Sequence, residues 1–136
     1  MRPKSAFRFA LYAAFAVLFV SGAAWLVADR LKESSELAQE TAADLLMVHG
    51  GVAMVALLLL GALVPLHVQR GWRAARNRIA GAAMVTLNAV LIVTAFGLYY
   101  TGAETLRPWM SDVHIGVGFA LPILLVIHIA LGRRSA

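Results

Sequence analysis

Four long apolar stretches dominate the sequence and limit the folds that the chain can adopt. Each runs for about twenty residues between charged segments, and a helix of that length spans the roughly 30 Å of hydrocarbon in a bilayer. Hydrophobic residues make up 61% of the 136 residues, whereas charged residues make up only 14%, well below their share in soluble domains. The sequence therefore predicts an all-α integral membrane protein, an up-and-down four-helix bundle forming one domain over residues 1–136, with spans at 9–28, 45–68, 79–103 and 113–132.

The first span follows a basic segment, as the apolar region of a secretory signal peptide does. Its apolar run, over residues 9–28, is longer than that of an ordinary signal peptide. We therefore expect this span to be retained as a membrane helix that also directs insertion.

The basic residues are distributed unevenly between the predicted connections. The connections over residues 29–44 and 104–112 hold all seven carboxylates and only three of the 12 Lys and Arg residues. Because cytoplasmic loops carry an excess of Lys and Arg, both termini and the 69–78 connection are predicted to be cytoplasmic. The net charge of +5 then indicates contact with anionic lipid and not with nucleic acid. The remaining nine basic residues are Arg2, Lys4, Arg8, Arg70, Arg73, Arg76, Arg78, Arg133 and Arg134.

The absence of cysteine excludes several kinds of site. A chain with no Cys can form no disulfide, no Cys-ligated iron–sulfur cluster and no covalent haem attachment through C-x-x-C-H. No Gly-rich phosphate loop, H-E-x-x-H or G-x-S-x-G motif occurs either. Any bound metal must therefore be held by nitrogen or oxygen ligands.

All four histidines lie in two of the four spans, His49 and His67 in the second and His114 and His128 in the fourth. At about 100° per residue, separations of 18 and 14 residues place each pair near one face of its helix. The second and fourth spans are predicted to run in the same direction, with His49 and His114 near the outer ends and His67 and His128 near the inner ends. Paired imidazoles at two matched depths are the arrangement that two haem b groups with axial histidine ligands require.

Other readings of the histidines remain open at the level of sequence. Imidazoles also hydrogen-bond to neighbouring helices, form proton relays and bind Zn or Cu, although the last two sites more often group their ligands at one depth or include carboxylates. The fourth span has a heptad-like packing seam. The distance along the helix axis between the two histidines is roughly 27 Å in the second span and roughly 21 Å in the fourth, so the two pairs do not match exactly. Pro65 and Pro122 are expected to bend the helices that contain them. The seam consists of His114, Gly118, Leu121, Leu125 and His128, and the matching face of the second span is His49, Ala53, Ala56, Leu60, Leu63 and His67.

The segment from "VHGG" to "HIALGRR", with "TGAETLRPW" and "SDVHIGVG" between them, covers about two-thirds of the chain. It resembles small bacterial di-haem membrane cytochromes of the b561 type and the formate dehydrogenase gamma-subunit type. The resemblance implies a protein of the bacterial inner membrane in which His49, His67, His114 and His128 ligate two haem b groups. It also implies electron transfer between the quinone pool and a partner redox protein or larger complex. The 14-residue spacing matches such cytochromes, whereas the 18-residue spacing is longer than the commoner one.

The expected function is that of a membrane-bound di-haem cytochrome b that carries single electrons, because two axial imidazoles leave the iron no open position. Two alternatives are a stand-alone quinone oxidoreductase, such as a superoxide oxidase, and a haem-free membrane anchor or assembly subunit.

Arg107 outside and Arg70 inside are candidate partners of the haem propionates. A short helix or helix extension is expected at "SSELAQE". An outer quinone site is predicted at Tyr99, Tyr100, Glu104, Trp109 and Asp112.

Overall fold

The computed structural model describes residues 5–75 and 77–134, and within them it contains helices and no strand. This confirms the predicted all-α class. Four helical stretches are long and apolar enough to cross a membrane, Ser5–Leu31, Glu36–Arg73, Arg78–Tyr100 and Leu106–Arg133. The basic residues Arg2, Lys4 and Arg76 lie outside the described residues. The α-helices are α1 (Ser5–Leu31), α2 (Glu36–Leu63), α3 (Gln69–Arg73), α4 (Arg78–Tyr100) and α5 (Leu106–Arg134).

The chain divides into two compact units, Met1–His67 and Val68–Ala136. In the first unit α1 packs against α2, and in the second α4 packs against α5. Each pair is joined by a connection of a few residues, 32–35 and 101–105, so the helices of a pair run antiparallel. Each unit is therefore a helical hairpin with its own packed interface.

The interfaces within the hairpins are made mostly of small residues. Ser21 and Ala56 in the first unit and Thr94 in the second are each at most 5% exposed, whereas large apolar side chains such as Leu58, 78% exposed, lie on the surface. Small residues let membrane helices approach closely, and lipid tails solvate the large ones. Small residues inside and large apolar residues outside reverse the distribution of a soluble protein, as expected where the surface faces hydrocarbon.

Helix α2 begins well before the apolar span that was predicted over 45–68. Ser35 caps it, with an extended backbone (φ −154°, ψ 121°) and a side-chain oxygen that accepts a hydrogen bond of 3.3 Å from the Ala38 amide. The helix start predicted at "SSELAQE" is confirmed. The Ser35 cap and the acidic residue Glu36 in the first turn both stabilise this end of the helix. Helix α4, by contrast, ends at Tyr100, before the predicted boundary at residue 103.

The second membrane-spanning stretch changes its helical geometry at Pro65. Val64–Val68 forms a π-helical segment between α2 and α3, and the Val64 amide donates to the Gly61 carbonyl that the missing Pro65 amide leaves unbonded. A π turn thus occurs at Pro65, whereas the bend expected there stays a prediction. Helix α5 continues through Pro122 as one α-helix.

The segment that leads into α4 makes a tight turn through two left-handed residues, Ala75 (φ 56°) and Asn77 (φ 49°). Asparagine adopts this conformation at lower cost than most residues. The Arg78 guanidinium closes the turn, because it donates to the Trp72 carbonyl at 2.8 Å and lies 5.3 Å from the centre of the indole ring. The turn fixes Asn77 at the start of α4.

Candidate histidine sites

His49 lies on α2 with its ring against α1. Its Nδ1 is 3.0 Å from the hydroxyl oxygen of Ser21, and this hydroxyl is also 3.2 Å from the Leu18 carbonyl oxygen one turn earlier in α1. Ser21 is 4% exposed, so water does not replace either contact. The contact joins the two helices of the first hairpin at the depth of His49.

His114 makes the equivalent contact in the second hairpin. Its Nδ1 is 2.8 Å from the hydroxyl oxygen of Thr94 on α4, and that hydroxyl lies 2.7 Å from the Val90 carbonyl and 3.1 Å from the Leu91 carbonyl. Thr94 is 5% exposed. Thr94 therefore bonds across the two helices, whereas Asn88, another polar residue of α4, donates to the Met84 carbonyl of its own helix at 2.8 Å.

The hydroxyl contacts favour one position of the proton on each imidazole. A hydroxyl has one proton, and a backbone carbonyl can only accept one. If Ser21 and Thr94 each donate to a carbonyl of their own helix, their oxygens accept from histidine, which favours the tautomer protonated on Nδ1 in His49 and His114. In this tautomer the lone pair lies on Nε2, the nitrogen opposite the hydroxyl.

His128 meets a partner of opposite polarity. The side-chain amide nitrogen of Asn77 lies 3.2 Å from the His128 carbonyl oxygen and 3.5 Å from its Nδ1. The group that faces a carbonyl must be the NH₂ end of the amide, because the carbonyl offers no proton. The amide nitrogen donates to the carbonyl, and Nδ1 lies at the 3.5 Å limit of a hydrogen bond that it would accept, which favours the tautomer with the proton on Nε2.

His67 is the fourth histidine and lies within the π-helical segment. A π turn contains one residue more than an α turn, so it rotates the residues beyond it by about 100° from their α-helical direction. The ideal-helix calculation that placed His67 on the face of His49 does not hold across this segment. Ala53, Ala56, Leu60 and Leu63 of that face are buried or half-buried, whereas His67 is exposed.

Glycines lie beside two of the imidazoles. A Cβ atom on Gly22 would meet Cε1 of His49 at 3.2 Å, which is tighter than ordinary contact, and a Cβ on Gly81 would meet Cε1 of His128 at 3.9 Å.

In α5 the predicted seam is a packing seam against α4 and the residue before it: His114 contacts Thr94, His128 contacts Asn77, and Leu121 is buried.

The arginines proposed for propionates have partners of different kinds. Arg107 donates through one guanidinium nitrogen to the carbonyl of Leu98 and reaches that of Thr101 at 3.5 Å, so it stabilises the carboxyl end of α4. Arg70 is exposed on the short helix α3. A guanidinium has five donors, so these contacts leave donors for an anion.

The side chains predicted for an outer quinone site lie on the surface of the second unit. Tyr99, Tyr100 and Trp109 are at least 60% exposed, and Tyr100 stacks on Phe96 with ring centres 4.6 Å apart. Two open cavities occur instead between α1 and α2, of about 350 and 610 Å³. The smaller is lined by apolar residues and Ser21, and Leu45 lines both.

The structure adds residues that the sequence analysis did not select. These residues are Ser21, Gly22, Asn77, Gly81 and Thr94. The available signal was the presence of small or polar residues within otherwise apolar spans, but many such residues only pack. Within residues 5–75 and 77–134 no three His, Asp or Glu side chains come together in a metal-binding group.

Comparison with known proteins places the chain in no family. No protein-family model matches the sequence, and neither the curated proteins nor the solved structures gave a match. The function must be argued from the histidines themselves.

Proposed function

We propose that the chain is a membrane-bound di-haem cytochrome b of the bacterial inner membrane, which transfers electrons across the bilayer between quinone or quinol and a partner redox protein. The termini and the 69–78 connection face the cytoplasm in this proposal. Two non-covalent haem b groups are held by His49, His67, His114 and His128. The pairing of His49 with His114 and of His67 with His128 stays a prediction from the sequence.

The observation that carries the proposal is the hydroxyl contact at Nδ1 of His49 and of His114. Histidines that ligate metals commonly donate their other ring N–H to an oxygen, which fixes the ring and raises the basicity of the ligating nitrogen. Both histidines have this arrangement, with distances of 3.0 and 2.8 Å to the hydroxyl oxygens. Neither apolar span offers a carboxylate as an alternative ligand. The donor set therefore fits a haem iron better than a Zn or Cu site.

The residues of the chain would have three roles in this function. Haem b held by two imidazoles would supply a one-electron carrier. The histidines would hold this group, the hydroxyls would orient the imidazoles, and the apolar helices would exclude water. Arg107 on the outside and Arg70 on the inside are the proposed cationic partners of the propionates.

Quinone is the proposed small-molecule partner. The site predicted at Tyr99, Tyr100, Glu104, Trp109 and Asp112 combines aromatic surface with groups that exchange protons. The apolar cavity lined by Val17, Val20 and Ser21 is a second location that fits a hydrophobic ring, and it lies beside the Ser21 hydroxyl that contacts His49. Substitution in each region followed by quinol-dependent haem reduction would separate the two.

The proposed function is tested by a reduced-minus-oxidised absorption spectrum of the purified protein, with a haem-to-protein ratio. Two low-spin b haems per chain are expected. Replacing either His49 or His114 by Ala should abolish one haem, and replacing His67 or His128 the other. Asn88→Leu is the matched control, because Asn88 is a polar residue within a span whose side chain bonds only to its own helix in the described contacts.

A haem-free membrane anchor is the second candidate, and one observation favours it. The Ser21–His49 and Thr94–His114 contacts each join two helices of a hairpin, so they would also stabilise a protein with no cofactor. A colourless wild-type protein, produced with ample haem supply, would exclude the cytochrome and leave this alternative.

A further inference from the structure

We infer that Ser21 and Thr94 are positioning residues that keep His49 and His114 protonated on Nδ1, so that Nε2 of each is the nitrogen that ligates metal. Ligation of a metal through Nε2 rests on the proposed function. The proton on Nδ1, by contrast, is a property of the protein without haem. No sequence motif marks these two residues.

The hydrogen bonds around Ser21 and Thr94 have a definite direction in this proposal. Ser21 donates to the Leu18 carbonyl and Thr94 to the carbonyls of Val90 and Leu91, so both hydroxyl oxygens act as acceptors toward the imidazoles. Imidazole otherwise exists as a mixture of two neutral tautomers, and only a partner selects one of them. A buried acceptor at 3.0 or 2.8 Å selects the form protonated on Nδ1.

The proton on Nδ1 would also affect a metal bound at Nε2. A hydrogen bond from Nδ1–H to an oxygen increases the electron density of the ring and favours the oxidised iron. Removing the hydroxyl should therefore shift the midpoint potential of the affected haem in the positive direction. A role limited to helix packing would not change the potential in a consistent direction.

The first experiment measures protonation in the haem-free protein by ¹⁵N solid-state NMR of labelled histidine in bilayers, with each signal assigned from the four single histidine variants. In the wild type, Nδ1 of His49 and of His114 should be the protonated nitrogen. Ser21→Ala should move the His49 signals toward the Nε2–H form and leave His114 unchanged. Thr94→Val should do the reverse.

Three controls exclude a general effect of removing a hydroxyl. Ser21→Thr and Thr94→Ser keep the acceptor and should restore the wild-type spectrum. Thr41→Val removes a hydroxyl that likewise donates to a carbonyl of its own helix, that of Leu37 at 2.7 Å, and it should leave the histidines unchanged. If Ser21→Ala does not fold, Ser21→Cys, which keeps a small side chain with a weaker acceptor, should give an intermediate shift.

The second experiment is a redox titration of the same variants loaded with haem. Ser21→Ala and Thr94→Val should each raise the midpoint potential of one haem, and the conservative variants should restore it. A wild-type His49 or His114 without a proton on Nδ1, or a protonation state indifferent to Ser21 and Thr94, would overturn the inference whatever the haem content. The expected NMR shifts in a protein that never takes up haem would instead exclude the proposed function alone.

Discussion

His49 and His128 both direct Nδ1 at a polar side chain, yet the two contacts have opposite polarity. At His49 the partner is a hydroxyl oxygen that accepts, at 3.0 Å, whereas at His128 it is the Asn77 amide nitrogen that donates, at 3.5 Å. His114 belongs with His49, because its partner Thr94 also accepts. The presence of a hydrogen bond at a histidine is therefore less informative than its direction.

The difference has a chemical consequence for ligand roles. With the proton on Nδ1 that we infer, His49 and His114 have a lone pair on Nε2, whereas the contact with Asn77 favours a proton on Nε2 of His128. If His128 holds haem through Nε2, its proton would have to move to Nδ1, and the Asn77 amide could then no longer donate to the ring. The His49 and His114 rings need no such change.

Changing Asn77 tests this comparison and should give the largest effect. Asn77→Asp replaces the donor by a carboxylate, which accepts, so His128 should become protonated on Nδ1. The neutral Nδ1–H form and the imidazolium both carry that proton, so the ¹⁵N signal of Nδ1 moves in the same direction in either case. The measurement is the same solid-state NMR spectrum of the haem-free protein.

Asn77→Gly is the matched control, because glycine tolerates the left-handed backbone at this position (φ 49°) but has no side chain. This variant removes the donor without supplying an acceptor, so the Nδ1 signal of His128 should lie between those of the wild type and the Asp variant. A signal of unprotonated Nδ1 in the Asp variant as well would show that Asn77 does not determine the tautomer, and the comparison with His49 would fail.

Replacing the glycine beside each imidazole by alanine should have a smaller effect on the protein. These substitutions test whether each ring can move away from the added methyl group. Gly22→Ala places a Cβ 3.2 Å from the His49 ring, whose Nδ1 is bonded to Ser21, whereas Gly81→Ala places one 3.9 Å from the His128 ring. A ring forced away from its preferred rotamer and hydrogen bond costs about 1 kcal/mol. The free energy of unfolding, measured by titration with SDS, should be lower by about this amount in Gly22→Ala than in Gly81→Ala.

Both substitutions gain the same helix propensity, so their difference isolates the contact with the ring. The His49 signals should also shift in Gly22→Ala and the His128 signals stay unchanged in Gly81→Ala. Equal stabilities and unchanged His49 signals would mean that the ring moves aside without cost.

Much of the fold could be predicted from the sequence because membrane helices follow from hydrophobic length alone. The ends of the helices were less predictable, since polar residues such as Glu36 and Glu40 extend α2 beyond its apolar part. The Ser35 cap could be read from the sequence because a capping serine followed by acidic residues has a local physical cause.

The histidine sites were predictable only in part. The spacing of His49 and His67 assumed an uninterrupted α-helix, and a proline predicts a distortion without specifying a π turn. The partners of the imidazoles were not predictable, because Ser21 and Thr94 are distant in sequence from His49 and His114 and contact them only through the packing of each hairpin. Tertiary contacts of this kind have no local pattern.

The smallest effect is expected at Gly97, where the same substitution meets a flexible neighbour instead of an anchored ring. A Cβ on Gly97 of α4 would overlap the sulfur and terminal methyl of Met110 on α5, one turn before His114. Methionine has three rotatable bonds, so its end can move at a cost of about 0.5 kcal/mol. Gly97→Ala should therefore differ from Gly116→Ala, whose Cβ meets nothing within 4 Å, by only about this amount in the free energy of unfolding.

The cause can be separated by stiffening the neighbour. In a Met110→Ile background the branched side chain cannot move out of the way. Gly97→Ala should then lower the free energy of unfolding by at least about 1 kcal/mol more than it does in the wild type, a coupling large enough to measure between residues in contact. Gly116→Ala should cost the same in both backgrounds. An equal cost of Gly97→Ala in both backgrounds would show that α4 and α5 separate slightly to admit the methyl group. In that case the contrast between a flexible methionine and an anchored imidazole would not explain why Gly22 is the more restrictive position.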